Sequence, residues 1–150
     1  MKKGFTIIEV LIVLAIMAIL GTFVAVSYSR FNSMQALDKT SALVSSVLNQ
    51  ARTLTLSSKD NTQYGVHLAS GEITLFAGDT YSPSAGSNSV FTLNPQVSLI
   101  ADISGGGSEV VFERLTGKTD QDGTITLSLV SGASSAKTIT IFETGIIQQN

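Results

Sequence analysis

The hydrophobic residues of this 150-residue chain are concentrated near its start. No charged residue occurs from Val10 to Val26, and Phe5 to Ile8 extend the apolar stretch towards the N-terminus. A helix over residues 5–26 would be about 33 Å long, and the hydrocarbon core of a bilayer is about 30 Å thick. We therefore expect residues 5–26 to form a membrane-spanning helix.

The helical pattern continues beyond this stretch, but only one face stays apolar. Hydrophobic residues recur at a spacing of three and four, which predicts an amphipathic helix over residues 27–57 that covers a sheet. They are Val44, Val47, Leu48, Ala51, and Leu54 or Thr55. Polar residues between them are expected to face water, namely Ser33, Gln35, Asp38, Lys39, Ser41 and Ser45.

From Gln63 onward the apolar residues alternate with a period of two, which is typical of half-buried strands. Residues 64–68 and 72–76 flank Gly71 and predict a β-hairpin. Further strands are predicted at 90–93, 97–101, 109–113, 124–130, 137–142 and 146–148, between clusters of turn residues. The fold class is therefore α+β, with a long N-terminal helix packed on an antiparallel β-sheet and residues 58–150 forming a β-rich head.

Lys2 and Lys3 precede the apolar stretch and predict that the N-terminus stays in the cytoplasm while the head is exported. An ordinary signal peptide cleaved near Ala25 to Ser27, or a plain membrane anchor, would share these features. Glu9 argues against both, because a carboxylate within an apolar segment costs about 2–3 kcal/mol on insertion. An ionisable group at this position indicates a partner.

Residues 3–9 (KGFTIIE), followed by the apolar run, resemble the class III signal of type IV prepilins and type II secretion pseudopilins. The resemblance implies that residues 1–4 are a leader, that prepilin peptidase cleaves between Gly4 and Phe5, and that Phe5 is then N-methylated. It implies assembly through the helix with other pilin-like subunits and an inner-membrane assembly platform. The protein would first be a single-pass protein in the lipid of the inner membrane and then part of a pilus or pseudopilus.

Cleavage at this position would place a new amine on Phe5, close to the Glu9 carboxylate. Opposite charges in hydrocarbon are costly apart and favourable together, so Glu9 of one subunit can pair with Phe5 of its neighbour during assembly. The two residues are also four apart in one helix, so the amine can instead be neutralised within the subunit. The sequence leaves both arrangements open.

The head carries a second resemblance. The segments YGVHL and GEITLF early in the head, and VVFERLTGK and TITIFETGII late in it, are similar to H-type minor pseudopilins and related minor pilins. This implies a minor subunit whose role is structural.

Composition and candidate chemistry indicate no enzyme and no cofactor. The formal net charge is −2, and there is neither a basic patch for nucleic acid nor any cysteine. The single histidine, His67, lies in an alternating strand without a motif, and Gly105 to Gly107 read as a flexible link. Asp120 and Asp122 resemble the opening of a calcium loop, but Ser131 stands where the closing Glu would be needed. A turn between strands is the simpler interpretation, since Asp122-Gly123 is a strong hairpin signal, and a weak calcium site is the alternative.

Two functions from different classes follow. The first is a structural minor pilin or pseudopilin subunit, and the second is an exported, membrane-anchored binding domain unrelated to filaments. They differ at Gly4 and Phe5, since only the first requires cleavage between these residues.

Overall fold

A computed structural model describes residues 4–132 and 135–150, and of residues 24–26 it describes the backbone only. The chain divides into two compact units, the first ending at Met34 and the second comprising Gln35–Asn150. Helix α1 extends from Ile7 to Leu56 and contributes to both units. The fold predicted from the sequence, a long N-terminal helix and an antiparallel β head, is confirmed.

Helix α1 ends where the sequence changes to polar residues with left-handed backbone. Ser58, Asp60 and Asn61 all have positive φ values, and a short 3-10 turn spans Lys59–Asn61. Asp and Asn tolerate this conformation better than most residues, so the segment Ser58–Asn61 is suited to reversing the chain into the first strand.

Eight strands follow and form two four-stranded antiparallel sheets. The first sheet has the order β3-β2-β1-β5 and the second the order β4-β6-β7-β8. The strands are β1 (Tyr64–Ala69), β2 (Glu72–Ala77), β3 (Ser89–Thr92), β4 (Val97–Ile103), β5 (Glu109–Phe112), β6 (Gly123–Leu129), β7 (Ala136–Ile141) and β8 (Ile147–Gln149). The predicted hairpin is β1–β2, in which Ala69 pairs with Glu72 around Ser70 and Gly71.

The segment before Gly123 connects two strands, as predicted, but the hairpin that Asp122-Gly123 signals does not form. The strands on either side of this dipeptide, β5 and β6, belong to different sheets, so the segment between them is a crossover connection. Gly123 has φ +148° and begins β6, where a Cβ atom would collide with the backbone of Asp102 on β4. The glycine is therefore required by the close approach of two strands and not by a tight turn.

The core of the second unit is one hydrophobic cluster built by the helix and both sheets. The apolar helix residues of the predicted stripe contribute to it, with Val44, Leu48 and Ala51 fully buried. Facing them are large side chains of the sheets, including Phe112, Ile125 and Ile139. Truncating such a residue to alanine typically costs about 2–5 kcal/mol, so this cluster is the main source of the unit's stability.

The polar face of the helix was partly misassigned from the sequence. Asp38 and Lys39 are exposed as predicted, and Asp38 Oδ1 lies 2.7 Å from Lys137 Nζ on β7. Ser41, however, is fully buried, and Ser45 is half-buried with a buried hydroxyl. These serines therefore lie on the core-facing side of α1.

Two contacts attach the end of the helix to the sheets. The buried Thr55 hydroxyl accepts a hydrogen bond from the Tyr64 N–H at 2.9 Å and donates to the Tyr64 carbonyl at 3.4 Å. The Arg52 guanidinium donates to the Gly117 carbonyl at 3.3 Å. A Cβ on Gly145 would collide with that same carbonyl, so glycine allows the loops that contain Gly117 and Gly145 to pack together.

Candidate processing and assembly segment

The predicted cleavage position lies directly before the first turn of α1. Gly4, Phe5 and Thr6 are not helical, and the Thr6 Oγ1 accepts a hydrogen bond from the Glu9 N–H at 3.3 Å. Thr6 is thus the N-cap of the helix, and Glu9 occupies the third helical position. The spacing Thr-x-x-Glu is the sequence signal of such a cap.

The structure of this chain does not itself require glycine at position 4. A Cβ atom built on this residue would meet no other heavy atom within 4 Å, and its φ angle is not positive. The neighbouring Phe5 side chain is 84% exposed. A requirement for glycine here would therefore have to come from another molecule that binds the segment.

The apolar side chains of the first unit have no partner within the described part of that unit. All residues from Gly4 to Phe23 are exposed. Within the described ranges, α1 is the one helix long and apolar enough to cross a membrane, with a mean hydropathy of 2.8 in its most apolar window and none of that window buried. In water this surface would be strongly unfavourable, so it fits a lipid environment or the helices of other subunits.

Glu9 is an exposed acidic residue among these apolar side chains. Its carboxylate accepts no hydrogen bond from the residues that the structure describes, while its backbone N–H is bound by Thr6. A negative charge in the first turn of a helix is favoured by the helix dipole. The carboxylate is thus compatible with the helix and free to meet a positive charge from outside the chain.

His67 lies on β1 as predicted, half-buried, but its surroundings were not foreseen. Its ring stacks on Tyr81 with a centroid distance of 4.1 Å, and its Nδ1 lies 3.8 Å from Glu109 Oε1. Glu109 Oε2 accepts a hydrogen bond from the Tyr81 N–H at 3.1 Å. The three residues hold the β2–β3 loop against the first sheet, which is a structural role.

Asp120 and Asp122 line a surface depression of about 410 Å³ together with Glu113, Glu143 and Lys118. In residues 4–132 and 135–150, no three Asp, Glu or His side chains converge closely enough to hold a metal ion. The weak calcium site considered from the sequence stays a prediction.

Comparison with known proteins supports the interpretation of the N-terminal segment. Residues 1–25 match the prokaryotic N-terminal methylation motif, which is the prepilin-type signal predicted from residues 3–9. No curated protein matches the sequence.

The fold is similar to that of two solved proteins. The type IV minor pilin FimU of Pseudomonas aeruginosa matches in two crystal forms, with TM-scores of 0.56 and 0.62 at 13% and 14% identity. These matches cover 78% and 80% of this chain and 91% and 92% of FimU. The minor pseudopilin EpsH from the type 2 secretion system of Vibrio cholerae matches with a TM-score of 0.57 at 10% identity, over 76% of this chain and 95% of EpsH.

The chain therefore combines a prepilin methylation motif with a pilin-like α+β fold. Together these support a type IV pilin or pseudopilin subunit.

Proposed function

We propose that the chain is an H-type minor pilin or pseudopilin. In this proposal prepilin peptidase cleaves it between Gly4 and Phe5, the new N-terminus on Phe5 is methylated, and the subunit assembles through α1 into a type IV pilus or type II secretion pseudopilus. The proposal rests on two features that occur in the same segment. The methylation motif covers residues 1–25, and the helix segment within it exposes its apolar side chains.

Topology follows from the charges next to that segment. Lys2 and Lys3 favour retention of the N-terminus in the cytoplasm, so residues 27–150 would lie outside the inner membrane. The leader of residues 1–4 would then be accessible to a peptidase at the cytoplasmic face. After cleavage, extraction of residues 5–26 from lipid requires other apolar helices and an assembly platform in the membrane, since water would not solvate this surface.

The pairing of Phe5 and Glu9 gives the assembly its register. An amine and a carboxylate that enter an apolar helix bundle are costly unless they meet. Glu9 carries its charge on the first turn, four residues after the proposed terminus. An incoming subunit whose Glu9 reaches the Phe5 amine of its neighbour is therefore favoured over one displaced along the filament axis.

Intact-mass measurement of the membrane-extracted protein tests the cleavage. A chain that starts at Phe5 and carries one added methyl group supports the proposal. An intact leader, or a start at Ser27 or later, would instead support the exported, membrane-anchored binding domain. Measuring the same protein in cells without prepilin peptidase assigns the cleavage to that enzyme, because only peptidase-dependent shortening fits the proposal.

A further inference from the structure

Strand β4 (Val97–Ile103) forms one end of the second sheet and is paired with β6 on one side only. The Ser104 N–H donates to the Asp122 carbonyl, and the Val130 N–H donates to the Gln96 carbonyl. In an antiparallel ladder these bonds recur at every second residue, so Ser98, Ile100 and Asp102 bond to β6. Leu99 and Ala101 therefore direct their N–H and C=O groups away from the sheet, where no described residue binds them.

The other three sheet edges are shorter, and one of them is covered. Strand β3 has four residues and β8 has three, while on β5 the Val111 N–H is occupied by Gln121 Oε1 at 3.0 Å. Strand β4 has seven residues and contains no Lys, Arg or Pro, the residues that commonly protect edges. Ile100 lies at its centre and is 62% exposed. Long edges without Lys, Arg or Pro favour pairing with another strand.

We propose that β4 pairs antiparallel with β4 of a second copy of this chain, centred on Ile100, so that the two second sheets join into one. The sequence VSLIADI is self-complementary in this register. Leu99 of each copy lies opposite Ala101 of the other. The four N–H groups of these residues donate to their four carbonyls and form the central hydrogen bonds. Val97 lies opposite Ile103 at both ends.

The side chains on the outer face agree with the same register. The two Ile100 side chains meet across the two-fold axis, in a pair without hydrogen bonds, where side chains are closest. Ser98 of each copy lies opposite Asp102 of the other, so that a hydroxyl can donate to a carboxylate. Sliding the strands by two residues places Ile100 opposite Ser98 or Asp102 instead and leaves fewer backbone groups paired. The centred register is therefore favoured.

The inference concerns the second unit and does not depend on cleavage or filament assembly. Its test uses the detergent-solubilised full chain, which has no cysteine, so that each introduced thiol is the only one present. Opposed residues without mutual hydrogen bonds have Cα atoms about 4.5 Å apart, within the range of about 4.4–6.8 Å that a disulfide spans. We expect Ile100→Cys to form a disulfide-linked dimer under mild oxidation.

A mixture of Ser98→Cys and Asp102→Cys chains tests the register. It should form a disulfide-linked mixed dimer, whereas each variant alone should form no disulfide-linked dimer, because equivalent residues of the two copies are four positions apart along the strand, about 14 Å. Val90→Cys, on the edge strand β3 and 56% exposed, is the matched control for random collision. Introducing Ile100→Lys into both the Ser98→Cys and the Asp102→Cys chain should reduce the yield of the mixed disulfide dimer at least tenfold. The melting temperature of each chain should not change.

Three outcomes would overturn the proposal. They are the absence of an Ile100→Cys dimer, equally efficient cross-linking of Val90→Cys, and self-cross-linking of Ser98→Cys or Asp102→Cys as efficient as that of the mixture. Circular dichroism of each variant verifies that the sheets are intact before cross-linking.

Discussion

The Thr6 side-chain oxygen caps α1 by accepting a hydrogen bond from the backbone N–H of Glu9 at 3.3 Å. This bond uses the backbone of Glu9 and leaves its carboxylate uncommitted. Substituting the Glu9 side chain should therefore remove the negative charge proposed for assembly without removing the hydrogen bond that caps the helix.

Glu9→Ala should leave leader cleavage and head folding intact but strongly reduce incorporation into filaments. The peptidase would recognise Gly4 and Phe5, and among the described residues the first side chain in the hydrophobic core is that of Ala36. Removing one partner of a buried ion pair typically costs about 3–5 kcal/mol. Immunoblots of sheared filaments, compared with whole-cell blots for cleavage, measure both effects. Glu9→Gln keeps hydrogen bonding and should be milder, and wild-type incorporation of Glu9→Ala would contradict the pairing of Phe5 with Glu9.

Gly4→Leu should block processing while leaving the fold unchanged. A Cβ atom at this position would meet nothing within 4 Å in this chain, so we expect any effect to arise in the peptidase, which must accept an extended residue next to the cleaved bond. The expected result is accumulation of the full-length chain on an intact-mass spectrum. Gly21→Leu is the matched control, since Gly21 is also surrounded by open space but lies inside α1. Normal processing of Gly4→Leu would count against a prepilin.

Thr55→Val should destabilise the head, because it removes the hydroxyl that joins the end of α1 to β1. Loss of a buried hydrogen bond typically costs about 0.5–1.5 kcal/mol. The change in stability can be measured by thermal unfolding of the detergent-solubilised chain, monitored by the near-ultraviolet circular dichroism of its tyrosines. Thr53→Val is the control, because the exposed Thr53 hydroxyl bonds only the Asn49 carbonyl in its own helix. Equal stability of the two variants would show that the Thr55 contact contributes little.

The strands were predictable because alternation and turn residues are local signals. The predicted bounds of β1, β2 and β5 differ from the observed ones by one residue at most. The division into two sheets was not predictable, since it depends on pairings between distant segments such as β1 with β5. The Asp122-Gly123 dipeptide shows the same limit, because its local signal for a hairpin was overridden by the packing of β6 against β4.

In the candidate site, the sequence indicated the residues but not their contacts. The motif that contains Gly4, Phe5 and Glu9 is local in sequence, and residues 1–25 as a whole match the methylation motif. The roles of the three residues stay predictions. The Thr6 cap was also readable from the spacing to Glu9. The stacking of His67 on Tyr81 was not, because it depends on how the β2–β3 loop folds back.

Tyr64→Phe should make the stability of the head less dependent on pH above about 10. Burial, and then the hydrogen bond to and negative charge of Asp60, raise the pKa of Tyr64. The folded state thus favours the neutral phenol, whose contribution is complete below the unfolded pKa of about 10 and is lost as pH rises through the folded pKa. Urea unfolding from pH 8 to 11 measures the slope. Tyr28→Phe, at a 72% exposed residue, should keep the wild-type slope, and an unchanged slope in Tyr64→Phe would refute the linkage.

Ser41→Ala should stabilise the second unit, although it removes a polar group from a helix. The Ser41 side chain is fully buried, and its hydroxyl has no hydrogen-bond partner among the described residues. A buried hydroxyl without a partner carries a desolvation cost of about 1–3 kcal/mol, which alanine avoids. Alanine is also the better helix former, but by only about 0.5 kcal/mol. Ser46→Ala on the exposed face of α1 gains this propensity alone, so the difference between the two variants isolates the buried hydroxyl. Thermal unfolding should give Ser41→Ala a higher melting temperature than Ser46→Ala. The reverse order would mean that the Ser41 hydroxyl has a hydrogen-bond partner in the folded protein.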